Sequence, residues 1–202
     1  MKKLTLTIFA LVFPFLVLPQ SCLPEGIVFT TQAQIDSFQI NYPNCTEIEG
    51  SVNIEGTDIT NLNGLSVVTS VGGALEISYN DALTSLTGLD NLTSIGGSLT
   101  IHTNHVLTTL TGLDNVTSVG GGLFIGWNAA ITSLMGLDNV TSVGGGLTFI
   151  WNYALTTLTG LDNVTSAGGD LDIYVKGALT ILTGLDKVTT IAGLLVIMSN
   201  DL

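Results

Sequence analysis

The sequence predicts a mainly β repeat solenoid, a stack of parallel-strand coils about 24 residues long. Three observations carry that prediction. Strand-like leucines fall at Leu75, Leu99, Leu123, Leu147, Leu171 and Leu195, a constant spacing of 24 residues, with a weaker copy at Val52. Each leucine is followed two positions later by a second apolar residue: Ile77, Ile101, Ile125, Phe149, Ile173 and Ile197. No helical periodicity runs through the coils. Fixed self-similarity in this range means stacked supersecondary units. Two apolar residues two apart point to one face of a strand. Each coil supplies one such strand in the same direction, so the strands pair in parallel, about 4.8 Å per coil.

The first element is a secretory signal peptide over residues 1–20. It has a basic Met1-Lys2-Lys3, an apolar run from Leu4 to Leu18 broken by Pro14, and a polar Gln20-Ser21. The run is shorter than the roughly 20 apolar residues a membrane span needs, so no transmembrane segment is expected in the mature chain. Residues 21–50 follow as an N-terminal cap. Its Cys22 and Cys45 are the chain's two cysteines, and an even count in an exported chain reads as a disulfide. The competing reading acylates Cys22 as a lipoprotein anchor and leaves Cys45 unpaired. Between the cysteines, Ile27-Val28-Phe29 has strand character. Thr31-Gln32-Ala33-Gln34 matches a capping box, which opens a short helix with Ile35 and Phe38 on its apolar stripe. Pro43 bars its continuation. A distinct terminal cap is what an open-ended solenoid requires.

Residues 51–202 form the repeat solenoid. Three positions after the second strand residue stands an asparagine, at Asn80, Asn104, Asn128, Asn152 and Asn200, with Lys176 breaking the phase once. Stacked amides at such a turn satisfy backbone groups coil to coil. The next inward pairs are Leu83/Leu86, Leu107/Leu110, Ile131/Leu134, Leu155/Leu158 and Leu179/Leu182. After them Gly88, Gly112, Gly136, Gly160 and Gly184 open a Gly-Leu-Asp turn that needs positive φ. A third inward pair, as in Leu92/Ile95 and Val116/Val119, closes each coil, and Gly96-Gly97 and its equivalents lead into the next strand. Three inward segments per coil predict a roughly triangular section around a continuous apolar core. The chain stops in mid-coil at Ser199-Asn200-Asp201-Leu202, so the C-terminal end is expected to be uncapped, belonging to a truncated piece or covered by another subunit.

The pattern Cys45-Thr46-x-Ile48-x-Gly50-x-Val52-x-Ile54, followed by coils Leu-x-Ile-x-x-Asn-x-x-Leu-x-x-Leu-x-Gly-Leu, resembles the receptor L-domain, a leucine-rich, right-handed β-helix-like module of growth-factor and insulin-type receptors. Similar arrays occur in bacterial surface proteins and fungal cell-wall proteins. The resemblance extends over nearly all of residues 22–202. The strand part is shared with leucine-rich repeats in general. Gly72, Gly96 and Gly120, however, stand where that repeat starts with leucine, and no helix follows the strand. The resemblance implies non-catalytic recognition at a cell surface and names no partner.

With the inward phases assigned, the outward ones can be read off. On the main sheet Tyr79, Phe124, Trp127, Ile150, Trp151 and Tyr174 gather in neighbouring coils, with both tryptophans at one phase. A contiguous aromatic patch on a solvent-facing sheet is a signature of a binding surface for a protein or glycan. The competing readings are a stabilising cross-strand ladder and a homodimer face. Asp90, Asp114, Asp138, Asp162 and Asp186 stack in one line, where calcium could bridge them or each could cap its own turn. Outward threonine arrays such as Thr108-Thr109 and Thr156-Thr157 suit a water-ordering, ice-binding face or simply an exposed strand. Asn44, Asn91, Asn115, Asn139 and Asn163 begin Asn-x-Thr triplets, glycosylation acceptors in a eukaryotic secretory pathway.

Charge excludes other classes. The chain has sixteen acidic residues, four basic ones and a net charge of −12; loss of the signal peptide brings it to −14. It contains no arginine. It lacks the cations that phosphates or anionic lipids demand, so no nucleic-acid partner is expected. His102 and His105 are the two histidines, read as an exposed sheet residue and a turn residue. No nucleophile, base and orienting group assemble around them, so no catalytic residues, metal ligands or cofactor are expected. The expectation is a secreted or surface-held recognition module, with a structural spacer as the alternative and self-association through the open C-terminal coil.

Overall fold

The computed structural model describes residues 20–175, 178–179 and 181–199. The signal-peptide reading of residues 1–20 falls almost wholly outside them, as do Lys176 and Asn200.

The coils wind as a β-solenoid with two parallel eight-stranded sheets among the described residues. The front sheet carries the longer strands: Ile27–Phe29, Val52–Ile54, Leu75–Ser78, Leu99–His102, Leu123–Gly126, Leu147–Ile150, Leu171–Val175 and Leu195–Ser199. The back sheet carries Gln20–Cys22, Cys45–Ile48 and two-residue strands from Ser70–Val71 to Thr190–Ile191. Register is maintained from Leu75↔Leu99 to Leu171↔Leu195, residue for residue. This is what a constant period dictates, because a one-residue slip would turn the inward leucines to solvent.

The third side of the triangle is made of turns. The inward Leu83, Leu86 and Leu89 are buried there, and so are their equivalents through Leu161. Only isolated ladder bonds cross it, such as Leu134 N–H to Thr159 O at 2.9 Å. The break has a local cause. Gly88, Gly112, Gly136, Gly160 and Gly184 all sit at φ between 111° and 115°, outside any strand conformation. A Cβ at Gly136 would run into the Leu110 carbonyl of the coil before. Sequence reading placed the positive φ correctly but left the leucine of Gly-Leu-Asp out of the core.

Inside, the stack of aliphatic side chains is continuous from Phe29 to Ile173. The asparagine ladder runs beside it. Asn80, Asn104, Asn128 and Asn152 are all fully buried. Asn104 Nδ2 donates to Ile77 O at 2.9 Å in the preceding coil, and its Oδ1 accepts from Asn80 N–H at 3.1 Å. Asn128 and Asn152 repeat the arrangement with Ile101 O and Ile125 O. A turn whose backbone would otherwise be orphaned in an apolar interior is thereby satisfied.

The N-terminal region is itself a coil, with helix in place of the third-side turn. Thr31 and Gln34 close the expected capping box, and Gln32–Asp36 and Phe38–Asn41 form two short helices that bury Ile35 and Phe38. Phe38 meets Phe29 edge-on at 5.8 Å, which seals the core. Cys22 and Cys45 are bridged, with their Cα atoms 5.6 Å apart; a bridged Cys22 has no thiol to acylate. No helix among the described residues is long and apolar enough to cross a membrane.

The last described coil is open, in keeping with the phase break at Lys176, although the sequence pattern makes Leu179 and Leu182 an inward pair. Leu182 is exposed and Leu179 only half-buried, against their full burial in earlier coils. Leu195 and Ile197, inward by register, are 56% and 49% exposed because no further coil is described beyond them.

Candidate functional site

Three in-register rows make up the outer face of the front sheet. The first runs Glu76, Thr100, Phe124, Thr148, Asp172, and the second Ser78, His102, Gly126, Ile150, Tyr174. The third consists of the residues just after the strands: Tyr79, Thr103, Trp127 and Trp151. All four adopt left-handed backbone, at φ of 56°, 56°, 55° and 51°. Bulky and β-branched residues avoid that region, at a cost of about 1–2 kcal/mol each. The geometry is imposed from below: the next residue is the ladder asparagine, whose Nδ2 turns back to the strand's own end, as Asn104 does to His102 O at 3.0 Å. The turn therefore throws the third-row side chain outward.

The rings form a connected chain. Tyr79 meets His102 at 5.3 Å between centroids, His102 meets Phe124 at 6.2 Å and Trp127 at 6.3 Å, and Phe124 meets Trp127 at 5.7 Å. Trp127 meets Trp151 at 4.9 Å. Most of these contacts are edge-on, at 71° to 84° between ring planes. The patch is thus a set of walls, not a flat plate. Gly126 allows this packing, since a Cβ there would crowd Ile150 and Phe124 at 2.9–3.0 Å. Ile150 and Tyr174 extend the second row, Tyr174 without a ring pair to the tryptophans among the described residues.

His102 corrects the sequence reading. It is not a freely exposed sheet residue: its side chain is 18% exposed and sits at the centre of the cluster. Its Nε2 lies 3.3 Å from Glu76 Oε1, and its Nδ1 lies 2.9 Å from Thr103 Oγ1. Ser78, also outward by phase, is fully buried, and its hydroxyl donates to the same Glu76 oxygen. His105 is exposed in its turn, as expected. A pocket of about 350 Å³ opens between Tyr79, His102, Thr103 and Trp127. One coil before Glu76, Asn53 Oδ1 is buried on this face without a hydrogen-bond partner.

The other candidate surfaces resolve into fold-maintaining devices. Asp90, Asp114, Asp138 and Asp162 each accept from the Gly N–H two residues earlier, at 2.7–2.8 Å. This is the turn-capping role, and no cluster of three metal-ligating side chains occurs among the described residues. Asn91, Asn115, Asn139 and Asn163 donate through Nδ2 to a carbonyl of the preceding coil at 2.6–2.7 Å. Thr93, Thr117 and Thr141 do the same through Oγ1. On the back sheet a trough of about 730 Å³ runs along Ser-apolar-Gly triplets such as Ser94-Ile95-Gly96 and Ser118-Val119-Gly120. Its glycines are required by close coil contact: a Cβ at Gly120 would collide with the Gly96 carbonyl.

A family model described as Receptor L domain matches residues 44–112, about a third of the chain. That family is ligand-binding and non-catalytic. No curated protein and no solved structure matches the chain. The matched stretch contains Tyr79, Glu76 and His102, while Phe124, Trp127, Trp151 and Tyr174 lie in later coils of the same register. The chain is receptor L-domain-like: it is similar to that family over residues 44–112, and its 24-residue coils continue the pattern to the last described strand.

Proposed function

We propose that this protein is an exported, non-enzymatic recognition or adhesion module that binds a protein or glycan at a cell surface. Its binding face is the front-sheet patch of Tyr79, Phe124, Trp127, Ile150, Trp151 and Tyr174, joined by His102. One observation carries this reading: large aromatic side chains occupy left-handed backbone positions that the solenoid itself would fill better with glycine or asparagine. The turn sets this backbone at Thr103 as well, so placing large rings there, at a strain that smaller residues would lessen, points to a function. The family match supports ligand binding, and the disulfide supports an oxidising, extracellular setting. Export depends on residues 1–20 acting as the signal peptide, with residues 21–50 as cap and 51–202 as solenoid.

The test is a capture experiment from surface and glycan extracts with the exported protein and its Trp127→Ala/Trp151→Ala variant, matched for folded content. A partner held by the first and lost by the second is expected. A partner held equally by both would overturn the assignment of the face.

A further inference from the structure

We propose that the pocket between Tyr79, His102 and Trp127 receives a cationic side chain, arginine or lysine, presented by a basic segment of a protein partner. This rests on the aromatic face being the binding face and assigns the chemistry of what it binds.

The argument starts from ring orientation. Tyr79 and His102 stand at 84°, and His102 and Trp127 at 71°. A sugar ring stacks on an exposed flat plate, whereas walls near right angles surround a point. The faces of tyrosine and tryptophan carry negative quadrupole charge, and a cation within about 6 Å of a ring centroid is attracted to it. Glu76 supplies a formal charge beside His102, whose ring lines the pocket. Its side chain is 42% exposed, and the same Oε1 takes both the His102 and the Ser78 contacts. No bond engages Oε2 among the described residues, which leaves that oxygen to accept from a guanidinium or an ammonium.

The charge of the chain points the same way. The sequence holds no arginine and has a net charge of −12. Lys187, the one lysine among the described residues, donates to Asn163 Oδ1 in the Gly-Leu-Asp turns. No lysine or arginine among the described residues lies on the aromatic face, and the overall field draws a basic partner in. An anionic membrane or a nucleic acid would be repelled by the same field.

Both tryptophans of the chain, Trp127 and Trp151, lie on this face, so intrinsic tryptophan emission reports on it alone. The experiment titrates the full exported protein with the peptide Gly-Arg-Gly-Arg-Gly-Arg and with the same peptide carrying citrulline for arginine. A saturable emission change with the arginine peptide is expected, at least tenfold weaker with citrulline. Glu76→Gln should weaken the arginine response about tenfold, and Glu76→Asp should restore most of it. Circular dichroism of each variant confirms that the solenoid is intact. Equal responses to the two peptides, or no effect of Glu76→Gln, would overturn the proposal. So would saturation by a neutral oligosaccharide such as cellohexaose with no response to the arginine peptide. That last outcome would leave the aromatic face standing as a binding surface. Indifference of a captured partner to the tryptophan variants would remove that reading itself.

Discussion

The inside of each coil and the outer face of the front sheet come from the same 24-residue unit, yet they behave in opposite ways. Inward positions repeat almost without change: Leu, Ile, Asn, Leu, Leu, Gly, coil after coil, each buried from Leu75 to Ile173. The outer row that follows the strand reads Tyr79, Thr103, Trp127, Trp151, four residues of three types in one backbone conformation. The stack demands identity where a side chain must fit both the coil above and the coil below. It demands nothing of a side chain projecting into solvent. Variation is therefore confined to positions that packing leaves free, and those positions hold the connected rings.

This division predicts a graded response to substitution. The largest effect belongs to the ladder. Asn128→Asp puts a carboxylate in a fully buried site, where it cannot donate to Ile101 O. A loss of about 4 kcal/mol or more is expected in urea unfolding. Asn128→Ala, which strands the Asn104 N–H and removes the side-chain bonds to Ile101 O and Asn152 Oδ1, should cost about 3 kcal/mol. Losses below 1 kcal/mol would show that the ladder is decorative. Next comes the turn glycine: Gly136→Ala forces a Cβ into the Leu110 carbonyl at φ 111°, and about 2 kcal/mol should be lost. Smaller again is the turn cap. Asp114→Ala removes one 2.7 Å bond to Gly112 N–H at an exposed site, worth about 1 kcal/mol. Calcium should leave the melting temperature unchanged in both the native and the Asp114→Ala protein, because each of these carboxylates already serves its own turn.

Much of this was legible in the sequence, and the reason is the repeat. A constant period reveals phase, so the inward leucines, the asparagine ladder, the positive-φ glycines and the Thr31–Gln34 capping box could all be assigned from residue type and spacing. What escaped was whatever depends on neighbours across coils. His102 looked exposed because its own strand places it outward; the diagonal Phe124 and Trp127 of the next coil and Tyr79 of the coil before enclose it. The left-handed backbone at Tyr79 and Trp127 carried no glycine to announce it. The edge-on ring angles depend on Gly126, whose missing Cβ lets Ile150 and Phe124 close over it. The Leu89 phase was missed because its turn leucine belongs to a side without strands.

The central claim is that the solenoid does not need the tryptophans that it displays. Its most direct test is the urea unfolding free energy of Trp127→Gly/Trp151→Gly against the native protein. Each substitution loses ring pairing of about 0.5–1.5 kcal/mol and buried ring area of about 1–2 kcal/mol, and relieves left-handed strain of about 1–2 kcal/mol. The account predicts a net loss of about 2 kcal/mol for the pair of substitutions. A loss of about 5 kcal/mol or more for the pair, above the cost of a ladder asparagine, would make the aromatic row a stabilising cross-strand stack and contradict the account.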